Sequence, residues 1–132
     1  MVALGRGGAN IQVADALDHA LGYGIALDMT RRDLQGEMKK AGRPWEIGKA
    51  FDGSAPASAI HLAADIGHPD AGDIWLEVNG ARRQSGNLDQ MIWKTAEIIA
   101  ILSGFFTLGA GDVILTGTPA GVGPVERGDM LH

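Results

Sequence analysis

Glycine constrains this chain more than any other residue. It fills 20 of 132 positions, twice the share of about 7% found in ordinary proteins. The glycines follow no three-residue period, which excludes a collagen-like rod, and a backbone without side chains turns where others cannot. Many short elements joined by tight turns are therefore expected. At this length the chain has room for one hydrophobic core, so residues 1–132 are expected to form a single domain.

Composition narrows the partners. Apolar residues make up 45% and charged residues 20%, as in soluble globular proteins, and no apolar run approaches the ~20 residues of a membrane helix. The 16 acidic and 11 basic side chains leave a net charge of -5, so the chain as a whole attracts neither nucleic acid nor an anionic membrane. Any anionic ligand must be held by local groups. Cysteine is absent, which removes disulfides, thiolate metal sites and a cysteine nucleophile. With no charged-then-apolar segment opening the chain, a cytoplasmic protein is expected.

Gly5 to Asn10 make a glycine-dense turn, and Asn10 is placed to cap a short helix from about Val13 to Ala20, with Val13, Leu17 and Leu21 on one face. Tyr23 to Met29 reads as an apolar strand with Asp28 near its C-terminal end. Thr30 or Asp33 suits the cap of a second helix reaching about Lys40, which Gly42 and Pro44 stop. Trp45 to Pro56 reads as a loop. Ile74 to Val78 alternates like a half-buried strand, and Asn79-Gly80 before Ala81 to Gln84 is the strongest short hairpin signal. From Leu88 to about Phe105, Met91, Ile92, Ile98, Ile99 and Leu102 recur at helical spacing, which predicts the longest helix with that face inward. Asp112 to Thr116 is a final strand running into the glycine-rich segment Gly117 to Gly123.

The densest polar cluster runs from Asp28 to Gln35, where a strand feeds a helix. Arg32 and Gln35 share a helix face and Asp28 lies just before it, so the three suit one small anion or ion. From composition alone, a solvated first helical turn with a capping acid explains the same residues better, since charge runs near helix starts are common. Lys49, an ammonium among Ile47, Phe51 and glycines, is either functional or snorkelling. Thr116-Gly117-Thr118-Pro119 exposes hydroxyls and amides that suit an oxyanion or carboxylate, but it lacks the Gly-Lys-Ser/Thr of a phosphate loop. Asp15, Asp18 and His19 have a spacing that would let one helix face bind a metal, although a polar outer face explains them better. His61 and His68 have no partner spacing, and no serine lies in a nucleophile elbow.

Four blocks, taken in order, resemble the fumarylacetoacetate hydrolase family. They are Leu27 to Gln35 (LDMTRRDLQ), Lys39 to Asp52 (KKAGRPWEIGKAFD), Val78-Asn79-Gly80 with Arg83-Gln84, and Gly111 to Pro119 (GDVILTGTP) with Gly121-Val122-Gly123. The blocks at Arg31-Arg32-Asp33 and at Arg43 to Lys49 are most similar to the fumarylpyruvate hydrolase, or acylpyruvase, branch, which serves gentisate breakdown in aromatic catabolism. The resemblance implies an α+β fold, with a mixed, bent β-sheet or β-roll core and flanking helices, in a homodimer. It implies that Asp28 is a ligand to Mg²⁺ or Mn²⁺, that Arg32 and Gln35 line the pocket, that Lys49 holds the substrate or developing enolate, and that Thr118 binds the substrate carboxylate. These roles agree with the chemistry. A hard divalent ion chelates a 1,3-diketo acid through oxygen and stabilises the enolate left when the carbon-carbon bond breaks.

The function expected from the resemblance is metal-dependent hydrolysis of a carbon-carbon bond in an acylpyruvate. An isomerase or an oxaloacetate-type decarboxylase of the same family would use the same enolate. The family also has a Glu-x-Glu metal-binding pair before the Asp28 position, and its water-activating His and Glu earlier still, whereas the first glutamate here is Glu37. A chain truncated at both ends is therefore expected, and a catalytically inactive scaffold is the third reading.

Overall fold

The computed structural model describes all 132 residues. In chain order the elements are β1 (Val2–Leu4), a 3-10 helix (Val13–His19), β2 (Ala20–Tyr23), α1 (Arg32–Lys40), α2 (Glu46–Lys49), β3 (His61–Leu62), α3 (Ala63–Ile66), β4 (Asp73–Val78), β5 (Ala81–Asn87), a second 3-10 helix (Leu88–Gln90), α4 (Thr95–Ser103) and β6 (Val113–Ile114). They form two compact units, one of Met1–Tyr23 with Ile60–His132 and one of Gly24–Ala59. The mixture is α+β, with short helices beside small antiparallel sheets.

In the first unit a four-stranded sheet runs in the order β3-β2-β1-β6. β1 is central and all three of its residues are buried, which its sequence Val-Ala-Leu suits. Leu4 packs with Ala16, Ile99 and Leu108 into the core, flanked by Ile11, Ala96, Leu102 and Ile114. β4 and β5 form the expected hairpin. Asn79 and Gly80 both take positive φ, 53° and 78°, the geometry a two-residue turn of this twist requires. Chain from the C-terminal end joins this hairpin, with Glu77 and His132 exchanging backbone hydrogen bonds of 2.7 and 2.9 Å.

Several elements differ from expectation. The first helix is 3-10, not α, and its cap position is Gln12 rather than Asn10. Ala16 and His19, three residues apart on one face of this helix, are buried, whereas Val13, at its exposed start, and Leu21, beyond its end in β2, stay exposed. The long helix is two pieces separated at Met91 to Lys94. Asn87 caps the first piece, and Glu97 reaches back to the Lys94 amide at 2.7 Å to start the second. Ile92, in the break, is 89% exposed. The final strand keeps only Val113 and Ile114 of the expected five residues.

The second unit lacks the predicted strand at Tyr23 to Met29, since regular pairing ends with β2 at Tyr23. Beyond it, Leu27 and Met29 donate to the carbonyls of Pro56 and Ser54, and only Ala26 and Ala57 form a bridge. Pro56 has no N–H to return, so the ladder stays open. α1 runs almost as predicted, but its cap is Arg31 rather than Thr30 or Asp33. It ends in paired bonds from Gly42 N–H to Lys39 O and Arg43 N–H to Met38 O, with Gly42 at φ 62°. The expected Trp45 to Pro56 loop contains a short helix, α2.

Candidate active site

The second unit brings Asp28 and Lys49 together. α2 carries Lys49, and it docks on the start of α1 because Gly48 is small: a β-carbon there would lie 3.0 Å from the Gln35 amide nitrogen and 3.2 Å from Arg31 O. Gly48 O also accepts from the Arg31 amide at 2.9 Å. Held this way, Lys49 Nζ donates to Asp28 Oδ2 at 2.7 Å and to Thr30 Oγ1 at 2.9 Å. The pair is half-exposed, with 34% of the Lys49 side chain and 53% of the Asp28 side chain reached by solvent. It is an accessible ion pair rather than a buried one, and snorkelling does not describe it.

The two adjacent arginines part company. Arg31 lies over the Phe51 ring, 4.3 Å from its centroid, which holds that guanidinium in place. Arg32 opens α1 and is exposed, and Gln35, one turn on, is partly buried. Four of the five residues singled out from sequence thus stand in this unit, on α1, on α2 and on the segment leading to α1.

Thr118 belongs to the other unit. The segment after β6 folds against β5, where Gln84 Nε2 donates to Thr118 Oγ1 at 2.8 Å and to Pro119 O at 2.7 Å. Gly121, at φ 100°, sits so near the Arg83 carbonyl that no β-carbon would fit. Thr30 and Gln84 are the two participants that sequence reasoning missed. Along the chain Thr30 suits only a cap and Gln84 only a motif position, since nothing local shows what either side chain meets.

His19 is neither a metal ligand nor part of a polar outer face. It is buried, Arg6 Nη2 lies 3.0 Å from its Nε2, and its Nδ1 lies 3.0 Å from Arg6 O. Arginine only donates, so Nε2 accepts and the ring proton is on Nδ1. His68 meets the Tyr23 hydroxyl at 2.6 Å beside an open cleft of about 380 Å³ that also takes in Asp70 and Lys94. Partial burial pushes the Tyr23 phenol pKa up. None of the residues predicted from sequence lines that cleft.

Whether these residues fit a divalent metal is decided by the donors. Asp28 offers oxygen, but one of its oxygens is engaged by an ammonium, and no group of three or more acidic, histidine or cysteine side chains stands together anywhere in the structure. A hard divalent ion takes about six oxygen ligands. Asp28 by itself does not make a metal site.

Residues 1–132 match the C-terminal region of fumarylacetoacetate hydrolases over their whole length. The chain belongs to the fumarylacetoacetate hydrolase family. Within it, the Escherichia coli (strain K12) protein named oxaloacetate tautomerase YcgM is 57% identical over 83% of this chain and 51% of its own length. Mouse mitochondrial oxaloacetate tautomerase FAHD1 is 47% identical over 99% of this chain and 59% of its own. Among solved structures, the fumarylpyruvate hydrolase from Pseudomonas aeruginosa, in complex with Mn²⁺ and pyruvate, superposes with a TM-score of 0.96. It is 52% identical, and the match covers 98% of this chain and 56% of that one. The chain thus spans between half and three fifths of the length of these fumarylacetoacetate hydrolase relatives. The α+β fold implied by the resemblance is the fold of the family's solved members.

Proposed function

We propose that this chain is part of a hydrolase that cleaves a carbon-carbon bond in an acylpyruvate such as fumarylpyruvate. The observation that carries the reading is the accessible ammonium of Lys49, fixed at 2.7 Å by Asp28 in an otherwise acidic protein. In the proposed reaction water adds to the acyl carbonyl, the bond to the pyruvate unit breaks, and its electron pair leaves as the pyruvate enolate. In the second unit Lys49 and Arg32 offset the charge of the enolate and Gln35 donates to substrate oxygen; in the first unit Thr118 binds a carboxylate. Asp28 fixes Lys49 and offers oxygen to Mg²⁺ or Mn²⁺, a role that needs further ligands.

A second reading, keto-enol isomerisation of oxaloacetate, is favoured by the names of the curated relatives. It uses the same enolate without water addition. No helix is long and apolar enough to cross a membrane. A cytoplasmic location is a separate part of the proposal. A homodimer is part of the proposal. Phe105 and Ile92, 79% and 89% exposed, support it, since large apolar side chains left in water commonly mark contact surfaces.

The test is a chimera in which this chain replaces the matched segment of the Pseudomonas aeruginosa enzyme. Turnover of fumarylpyruvate, followed by absorbance, is expected. Oxaloacetate tautomerisation alone would select the second reading. A folded, Mn²⁺-loaded chimera inactive on both substrates would refute the proposal.

A further inference from the structure

We propose that Gln84 is a positioning residue that commits the Thr118 hydroxyl to donating a hydrogen bond to a ligand carboxylate. The inference rests on reading Thr118 as the carboxylate-binding residue. Gln84 stands in β5, cross-strand from Leu76, and is partly buried. Its amide nitrogen meets two oxygens, Thr118 Oγ1 at 2.8 Å and Pro119 O at 2.7 Å. Oxygen and nitrogen of an amide are easily exchanged in assignment, but here the second contact decides between them. A proline carbonyl only accepts, so the group facing it must be the NH₂, which also carries the two protons that both contacts require.

The consequence falls on Thr118. A hydroxyl has one proton to give and lone pairs to accept with. One Gln84 proton occupies a lone pair of Oγ1, so the Thr118 proton must point elsewhere. Thr118 is exposed, which leaves that proton available to a ligand. A carboxylate accepts only, so a threonine held in this state is ready to bind it, whereas a freely rotating hydroxyl must first be oriented. The platform is built to hold this arrangement. A β-carbon at Gly86 would stand 3.1 Å from Pro119 Cβ, and one at Gly121 would strike the Arg83 carbonyl. Both glycines let the segment lie close against β5, within reach of a glutamine side chain.

The experiment uses the 132-residue chain with pyruvate as the probe, followed by backbone amide shifts of Gly117 and Gly121. It also follows the side-chain amide of Gln84. Gln84→Glu presents an acceptor in place of the donor, so the carboxylate captures the Thr118 proton, and pyruvate affinity is expected to fall about tenfold. Gln84→Met, which removes both donors and captures nothing, should cost less. Thr118→Val should weaken pyruvate about tenfold and shift the Gln84 amide signals. In the Thr118→Val background, Gln84→Glu should cost nothing further. A merely structural role would make Met as damaging as Glu, and simple charge repulsion would persist without Thr118. Either result overturns the proposal, as do Gln84 signals indifferent to Thr118→Val. If those signals respond but wild-type chain binds no pyruvate, the carboxylate reading of Thr118 fails and the directing role falls with it, while the hydrogen bond itself stands.

Discussion

Gly121→Ala tests the docking of the Thr118 segment most directly. The position has φ 100°, where an L side chain costs roughly 1–3 kcal/mol. Its new methyl group would also collide with the Arg83 carbonyl, and would lie 3.2 Å from Arg83 C and 3.5 Å from Gln84 Cα. That carbonyl is backbone in β5 and cannot swing aside as a side chain can. The alternative is for the segment to lift away. Lifting gives up the two Gln84 hydrogen bonds, worth about 1 kcal/mol each net, and the contact of Pro119 with Gly86. Detachment at about 2–3 kcal/mol is therefore cheaper than keeping strain and collision together, and it limits the total loss. The melting temperature should fall by about 10 °C, at roughly 4 °C per kcal/mol for a chain of this size. Far-ultraviolet circular dichroism should be kept, and the Gln84 side-chain amide signals should collapse to those of a free glutamine. Gly123→Ala is the control, because nothing lies within 4 Å of the built β-carbon. If Gly121→Ala melts like wild type with its Gln84 signals in place, the segment does not lie close against β5 and Gly121 is not what holds Thr118 within reach of Gln84.

Three further outcomes are expected. Lys49→Ala should cost less than about 1 kcal/mol in urea denaturation, because its ion pair is half-exposed, yet it should abolish turnover in the chimera. Calorimetric titration of the chain with Mn²⁺ should find no site tighter than about 10⁻⁴ M, one carboxylate being too few, and a tight site would show that metal is held elsewhere. The Asp129 carboxyl pKa is held below its usual range by the Glu126 amide and then by the Asn79 side chain. Its contribution is therefore present above the ordinary carboxylate range and lost as pH falls through the lowered value, so acid melting curves of Asp129→Asn should lack that component.

Much of the fold could be read along the chain, and the reason is local. The hairpin at Asn79-Gly80 needs two residues with positive φ, and α1 ends where Gly42 and Pro44 stop it; both are decided within a few residues of backbone. The residue types proposed for function, Asp28, Arg32, Gln35, Lys49 and Thr118, could also be picked out along the chain, because they stand in blocks that resemble a family. What contacts these residues make was not. Residues 28 and 49 meet only because Gly48 lets α2 dock on α1, and Gln84 reaches Thr118 only because two glycines bring β5 and a distant segment together. The split of the long helix, the 3-10 form of the first, and the burial of His19 were likewise settled by packing, since periodicity records which residues are apolar but not which surface covers them. The sequence alone therefore determined turns, stops and chemical character. The tertiary structure decided the pairings, because hydrogen bonds between residues 21 to 34 positions apart depend on backbone approach that no local signal encodes.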